Sequence, residues 1–177
     1  WRLSCHDCSG YMMPPETLPN SSGGPTPTPE PLLLEVAWEA CNQLGGIYTV
    51  LRSKVPSMIT RWGDRYCLVG PYNESTAAVE FEPAPLDGPI GRAVEQLDQK
   101  AVVAHAGRWL VTGRPQVVLL DYRQVFGQLD QIKYKLWEDH GIPTPGEDEL
   151  IGGVVAFGEV CRRFLNQLAS LGAGSPP

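Results

Sequence analysis

The run Gln116-Val-Val-Leu-Leu-Asp121 carries no polar side chain between its two ends. A strand with one face in water alternates apolar and polar residues. A continuous apolar run of this length instead fits a strand of a parallel sheet covered on both faces. Shorter apolar runs at Leu32–Ala37 and Tyr66–Val69 read as companion strands, and Val79–Glu82 and Val102-Val103 as two more. Between them, apolar residues recur at helical spacing: Ile47, Val50, Leu51, Val55 and Met58; Ile90, Val94, Leu97 and Ala101; Val125, Leu129, Ile132 and Leu136; Leu150, Val154, Phe157, Cys161, Phe164 and Leu168. Pro56 is expected to end or kink the first helix, because it has no N–H to donate and its ring crowds the preceding turn. Strands alternating with helices predict a three-layer α/β domain, Rossmann-like, with a mainly parallel sheet between two helical layers.

The ends of the chain differ from this pattern. Asn20–Pro31 is a Pro/Gly/Ser/Thr tract that follows Pro14-Pro15 and has little apolar surface to bury. Residues 1–31 are therefore expected to be a disordered lead-in, 32–170 the domain, and 171–177 a flexible tail. The chain starts at Trp1 rather than Met, and so reads as an excised piece or an incomplete gene product.

Hydrophobic residues at 42% and charged residues at 19% fit an ordinary globular protein. A net charge of −6 leaves no basic excess to neutralise a phosphate backbone, so nucleic acid is excluded as a partner. No apolar run approaches the roughly 20 residues of a membrane span, and the first residues lack the basic start and apolar stretch of a secretory leader. Five cysteines, three of them inside apolar stretches, suit buried free thiols in a reducing cytoplasm better than a disulfide framework.

Gly45-Gly46 is the most informative local motif. It lies between the first strand and the first helix, where glycine admits close approach to the backbone and free N–H groups face an anion such as a diphosphate. A tight strand-to-helix turn accounts for the same pair equally well. The second glycine of G-x-G-x-x-G is missing, and the strand that should end on a ribose-binding acid ends on Gly70-Pro71. No Walker-type G-K-[ST] is present either. Cys5-His6-Asp7-Cys8 has the spacing of half a zinc site, but no second pair follows, so no metal is expected. His105 and His140 have no nucleophile and acid in triad context, and Glu147, Asp148 and Glu149 suit the first turn of the last helix.

The stretch Leu34-Glu-Val-Ala-Trp-Glu-Ala-Cys-Asn-Gln-Leu-Gly-Gly-Ile-Tyr-Thr-Val-Leu51 closely resembles the opening strand and loop of animal- and fungal-type glycogen synthases. Trp62-Gly-Asp64, Tyr66–Tyr72, Gly107-Arg-Trp-Leu110, Val117–Asp121 and Lys135-Leu-Trp137 agree in order, so the resemblance covers residues 33 to about 165. Bacterial and plant starch synthases are less similar, since they carry G-G-L-G-D after the same strand. The resemblance implies the N-terminal half of a GT-B fold, two Rossmann-like domains facing across a cleft. It also implies retaining transfer of glucose from UDP-glucose to the non-reducing end of an α-1,4-glucan, in glycogen biosynthesis, without a metal or other cofactor. Homo-oligomers and, in eukaryotes, the primer protein glycogenin are the partners it implies.

In the family the residue two before the paired glycines is usually Lys or Arg and contacts the nucleotide's phosphates. Here it is Gln43, which keeps a hydrogen-bond donor but loses the charge that makes such bonds about twice as strong. Gln43, Gly45 and Gly46 are thus the expected phosphate-contacting residues, and no catalytic residue is assigned. The chain ends before the histidine-containing segment and the second domain of the family, and the stretch after Leu168 departs from it. The chain alone is therefore expected to be inactive. The alternative is a non-catalytic module that binds glucan or a partner protein; an oxidoreductase is disfavoured by the missing dinucleotide fingerprint.

Overall fold

The computed structural model describes residues 31–98, 102–144 and 148–173. Residues 1–30 of the lead-in, with Cys5–Cys8, lie outside the described residues, as do 99–101, 145–147 and 174–177.

The chain runs through β1 (Leu33–Val36), α1 (Gly46–Trp62), β2 (Tyr66–Pro71), α2 (Glu74–Glu80), β3 (Phe81–Pro83), α3 (Gly88–Asp98), β4 (Ala104–Trp109) and β5 (Gln116–Leu120). A 3-10 segment, Tyr122–Gln128, leads into α4 (Leu129–His140), and α5 (Glu149–Ala173) closes the domain. The sheet order is β1-β2-β5-β4-β3. β1, β2 and β5 pair in parallel, with Leu34 opposite Cys67 and Val69 opposite Val118. β4 runs against both β5 and β3, so four of the five strands share one direction.

Why the sheet is buried on both faces is visible residue by residue. Along β2, Cys67 and Val69 point into one core while Tyr66 and Leu68 point into the other. Along β5, Val118 and Leu120 join the first core, and Val117 and Leu119 the second. Successive side chains of a strand alternate between faces, so an unbroken apolar strand feeds two cores at once. The first core is closed by Ile90, Val94 and Leu97 of α3 with Phe157, Val160 and Phe164 of α5; the second by Tyr48, Leu51 and Val55 of α1. The result is the expected three-layer α/β arrangement.

Three element expectations differ from the structure. Helix α1 continues through Pro56 to Trp62. Tyr48, Leu51 and Val55 are all buried on its sheet-facing side, and that packing holds the helix together across the missing hydrogen bond. Val102-Val103 is not a strand: the Val102 N–H closes on the Leu97 carbonyl, and the strand follows at Ala104–Trp109. The segment before β3 stays helical to Glu80, leaving only three residues for the edge strand. β4 opposes β5 because so short a connection cannot carry the chain back to start a parallel neighbour.

Candidate functional site at the strand carboxyl ends

Three loops leave the carboxyl ends of β1, β2 and β5, and together they wall a cleft of about 780 Å³. This is where ligands bind in open α/β sheets. Trp38, Asn42 and Leu44 come from the first loop, Tyr72 and Asn73 from the second, Tyr122 and Arg123 from the third. Gly70 brings the first two loops together, because a Cβ there would lie 2.8 Å from the Ala40 carbonyl oxygen. Only glycine at that position lets the β1–α1 loop rest on the end of β2.

Each loop enters its helix under a cap supplied by the chain itself. Oε2 of Glu39 accepts the N–H of Gly45 at 2.8 Å and that of Tyr48 at 2.9 Å, closing the N-terminus of α1. Oδ1 of Asn73 accepts the N–H of Ser75 at 3.1 Å at the start of α2. Oδ1 of Asp121 accepts the N–H of Arg123 at 3.1 Å at the start of the 3-10 segment. These acceptors satisfy amides that otherwise have no helical partner, and the Glu39 and Asp121 carboxylates also place negative charge where the backbone N–H groups point.

The sequence-derived residues sit at this edge. Gln43 is exposed in the first loop, Gly45 is the N-cap of α1 and Gly46 its first residue. Gly45 differs from expectation in one respect: its N–H is engaged by Glu39, and a Cβ on it would meet Glu39 Oε1 at 3.3 Å. A Cβ on Gly46 would meet nothing within 4 Å, so that glycine faces open space. Sequence reasoning missed Glu39, although its i+6 partner is Gly45 itself and its i+9 partner, Tyr48, lies two residues past the pair. It also missed the aromatic wall, whose members are brought together only by the sheet order.

The cleft's aromatics are braced from behind. The Trp38 and Tyr122 rings are 5.4 Å apart and tilted, and Phe157 meets Trp38 edge-on at 5.4 Å. Tyr72 stacks on His105 at 3.9 Å, which places that histidine as a packing partner. Asn42 is 5% exposed; its Nδ2 donates to the Trp38 carbonyl at 3.2 Å, and its Oδ1 has no partner among the described residues. Arg123 donates from Nε and Nη2 to the two oxygens of Asp121, each at 3.0 Å. Burial works to raise the Asp121 carboxyl, but Arg123, through its guanidinium and its backbone N–H, outweighs that and holds it below the ordinary carboxylate range.

The described thiols are chemically quiet. Cys41, Cys67 and Cys161 are free and buried, and burial pushes Cys67 and Cys161 each up to about 12. A thiolate nucleophile needs the opposite shift. No cluster of metal-ligating side chains occurs among the described residues. A second groove, about 520 Å³, lies between α4 and α5, but its Arg162 and Arg163 are both bonded to Glu159. No helix among the described residues is long and apolar enough to cross a membrane.

The glycogen synthase family model matches residues 35–175, ten residues further than the sequence resemblance alone reached and including most of the stretch after Leu168. The liver glycogen [starch] synthase of Rattus norvegicus is 36% identical over 143 residues, 80% of this chain and 20% of the relative. That of Neurospora crassa is 38% identical over 137 residues, 77% of this chain and 19% of the relative. The Dictyostelium discoideum protein is 36% identical over 147 residues, 81% and 16% respectively. The chain thus spans about a fifth of the length of the curated relatives it matches. With a family match over most of its length and a buried three-layer sheet of the expected kind, the chain belongs to the glycogen synthase family.

Proposed function

We propose that this chain forms the N-terminal wall of a glucosyltransferase that moves glucose from UDP-glucose to the non-reducing end of an α-1,4-glucan, in glycogen biosynthesis. The observation that carries the reading is the family match from Glu35 through β2 to β5, combined with a cleft at the strand ends where that chemistry belongs. Gln43 and Gly46 line the approach for the donor's phosphates: Gly46 is open to a ligand, and the Gln43 amide is exposed beside it. Gly45 contributes by letting the chain turn close beneath Glu39. Self-association, a glycogenin partner in a eukaryotic setting and a cytoplasmic location follow from the same family reading. The buried free thiols suit a reducing compartment.

The protein in its full natural length, incubated with labelled UDP-glucose and glycogen, should place label on non-reducing chain ends. An exo-acting amylase should then release that label first. A folded full-length protein that transfers none would overturn the reading. It would leave the alternative, a non-catalytic module holding glucan or a partner protein. What favours that alternative is Gln43, which brings no charge to the phosphate approach.

A further inference from the structure

We propose that Glu80, the last residue of α2, is a positioning residue for the donor-phosphate turn: its carboxylate holds the first turn of α1 in place through Tyr48. The inference rests on the glucosyltransferase reading, because it names what keeps the Gly45-Gly46 turn set for the donor's phosphates.

Every residue from Gln43 to Val50 is exposed except Tyr48. Helix propensity does not hold this turn either: two glycines open it, and Ile47, Tyr48, Thr49 and Val50 are all β-branched or aromatic. Its one anchor is therefore the Tyr48 side chain, whose ring meets the wholly buried Trp109 edge-on at 5.5 Å. The Tyr48 hydroxyl faces the Glu80 carboxylate; burial foremost, and that carboxylate after it, raise the hydroxyl's pKa, so it keeps its proton and donates. Glu80 Oε2 also accepts the Trp109 indole N–H at 3.0 Å. The half-buried carboxylate thus ties both rings together, which satisfies the indole N–H and offsets the cost of burying charge.

Glu80 is itself fixed to the sheet. Its carbonyl oxygen accepts the Leu110 N–H at 2.7 Å, and the next residue, Phe81, pairs with Trp109 as β3 begins. In the other direction the contacts run to the turn: the Tyr48 N–H donates to Glu39 Oε2, the oxygen that also accepts the Gly45 N–H. One chain of contacts, Glu80 to Tyr48 to Glu39 to Gly45, therefore begins on the sheet and ends beside the open Gly46. The loop before the turn adds a second sign. Cys41 is buried and not glycine, yet its φ is 53°, in the left-handed region. Such a residue persists only where its surroundings dictate it, and strain of this kind collects at functional sites. Cys41 packs in the same core as Tyr48, Trp109 and Ala77 of α2, so the brace that holds the turn also holds the strained loop.

The test compares Glu80→Ala, Glu80→Gln and Tyr48→Phe with the parent in the full-length protein, by amide hydrogen exchange and by kinetics. Glu80→Ala should quicken exchange across residues 44–51 at least about fivefold, with β2 and β5 unchanged. Glu80→Gln, which keeps an oxygen for the Trp109 N–H, should stay within about twofold of the parent. Tyr48→Phe keeps its ring on Trp109 and loses only the hydroxyl, so it carries the test should Glu80→Ala fail to fold; it should quicken the same residues. In kinetics, Glu80→Ala and Tyr48→Phe should raise KM for UDP-glucose and leave KM for glycogen unchanged, and Glu80→Gln should restore the parent value. A merely structural residue would lower the melting temperature without separating the two KM values. Unchanged exchange across 44–51, quickening that spreads to β2 and β5 in Tyr48→Phe, or KM values that rise together would each overturn the proposal. The two readings fail separately. A full-length protein that transfers no glucose, but whose variants loosen residues 44–51 alone and bind UDP more weakly, sinks the enzyme reading and not the brace. Normal transfer with a UDP-glucose KM that ignores both Glu80→Ala and Tyr48→Phe sinks the brace and not the enzyme.

Discussion

Glu39 and Gln43 lie four residues apart, and between them they decide what the Gly45-Gly46 turn can accept. The Glu39 carboxylate closes two amides of α1, and losing such a cap typically costs about 0.5–2 kcal/mol. Glu39→Ala should therefore lower stability by about 1 kcal/mol in urea unfolding; a variant as stable as the parent would show that the carboxylate does not hold the helix start. Gln43→Lys, in the full-length protein, should tighten UDP binding by about 0.5–1.5 kcal/mol, the step from a neutral to a charge-assisted hydrogen bond. Gly46→Val should weaken it. Because a Cβ at Gly46 meets nothing in the fold, that loss should come without a lower melting temperature. Calorimetric titration of UDP into all three proteins, beside their melting curves, checks both. Equal affinities would end the phosphate assignment. The glycine pair was legible in sequence as a strand-to-helix turn, which glycine makes whether or not a ligand approaches it. The carboxylate above it was not, since a partner six and nine residues away depends on a loop path that no periodicity encodes.

At the scale of elements, legibility followed burial. β2, β5 and α5 were plain because the side chains they bury are mostly apolar, Gln116 of β5 and Gln167 of α5 being polar exceptions. β4 was misplaced by two residues, because its sequence, Ala-His-Ala-Gly-Arg-Trp, carries small and polar side chains on a half-buried strand next to a weak edge. α5 also carries a charged hinge to its neighbours. Glu159 accepts from Arg162 and Arg163 at 2.8 Å, and Arg163 reaches Gln128 at 2.9 Å at the entry to α4. Arg162 foremost, opposed by burial and helped by Arg163, holds the Glu159 carboxyl below the ordinary carboxylate range. A carboxyl lowered in the folded state binds its proton more readily when unfolded, so stability rises with pH through that range. The contribution is complete above the unfolded value of about 4.3 and is lost as pH falls through the folded one. Melting curves between about pH 3 and pH 6 should then fall less steeply with acid for Glu159→Gln than for the parent. Parallel curves would remove Glu159 from the acid response.

For the whole molecule, the fold class could be read from one apolar strand, but the working cleft could not. Its aromatic wall joins Trp38, Tyr72 and Tyr122, which are far apart in sequence and meet only because β1, β2 and β5 are neighbours in the sheet. The same geometry limits what this wall does alone. Glycosyl transfer needs positive charge aimed at the departing diphosphate and a substrate pair held in line, both in a site closed to water. The described cleft is open, its one lining cation is tied to Asp121, and its helix entries are capped by its own side chains. The chain also covers only about a fifth of the relatives that carry the synthase name. The pure 177-residue chain, incubated with labelled UDP-glucose and glycogen, should therefore incorporate no label above a boiled control, even where its melting curve shows it folded. Measurable incorporation would mean that one wall suffices. A donor-phosphate site would then have to exist on this chain beyond the Gln43–Gly46 turn.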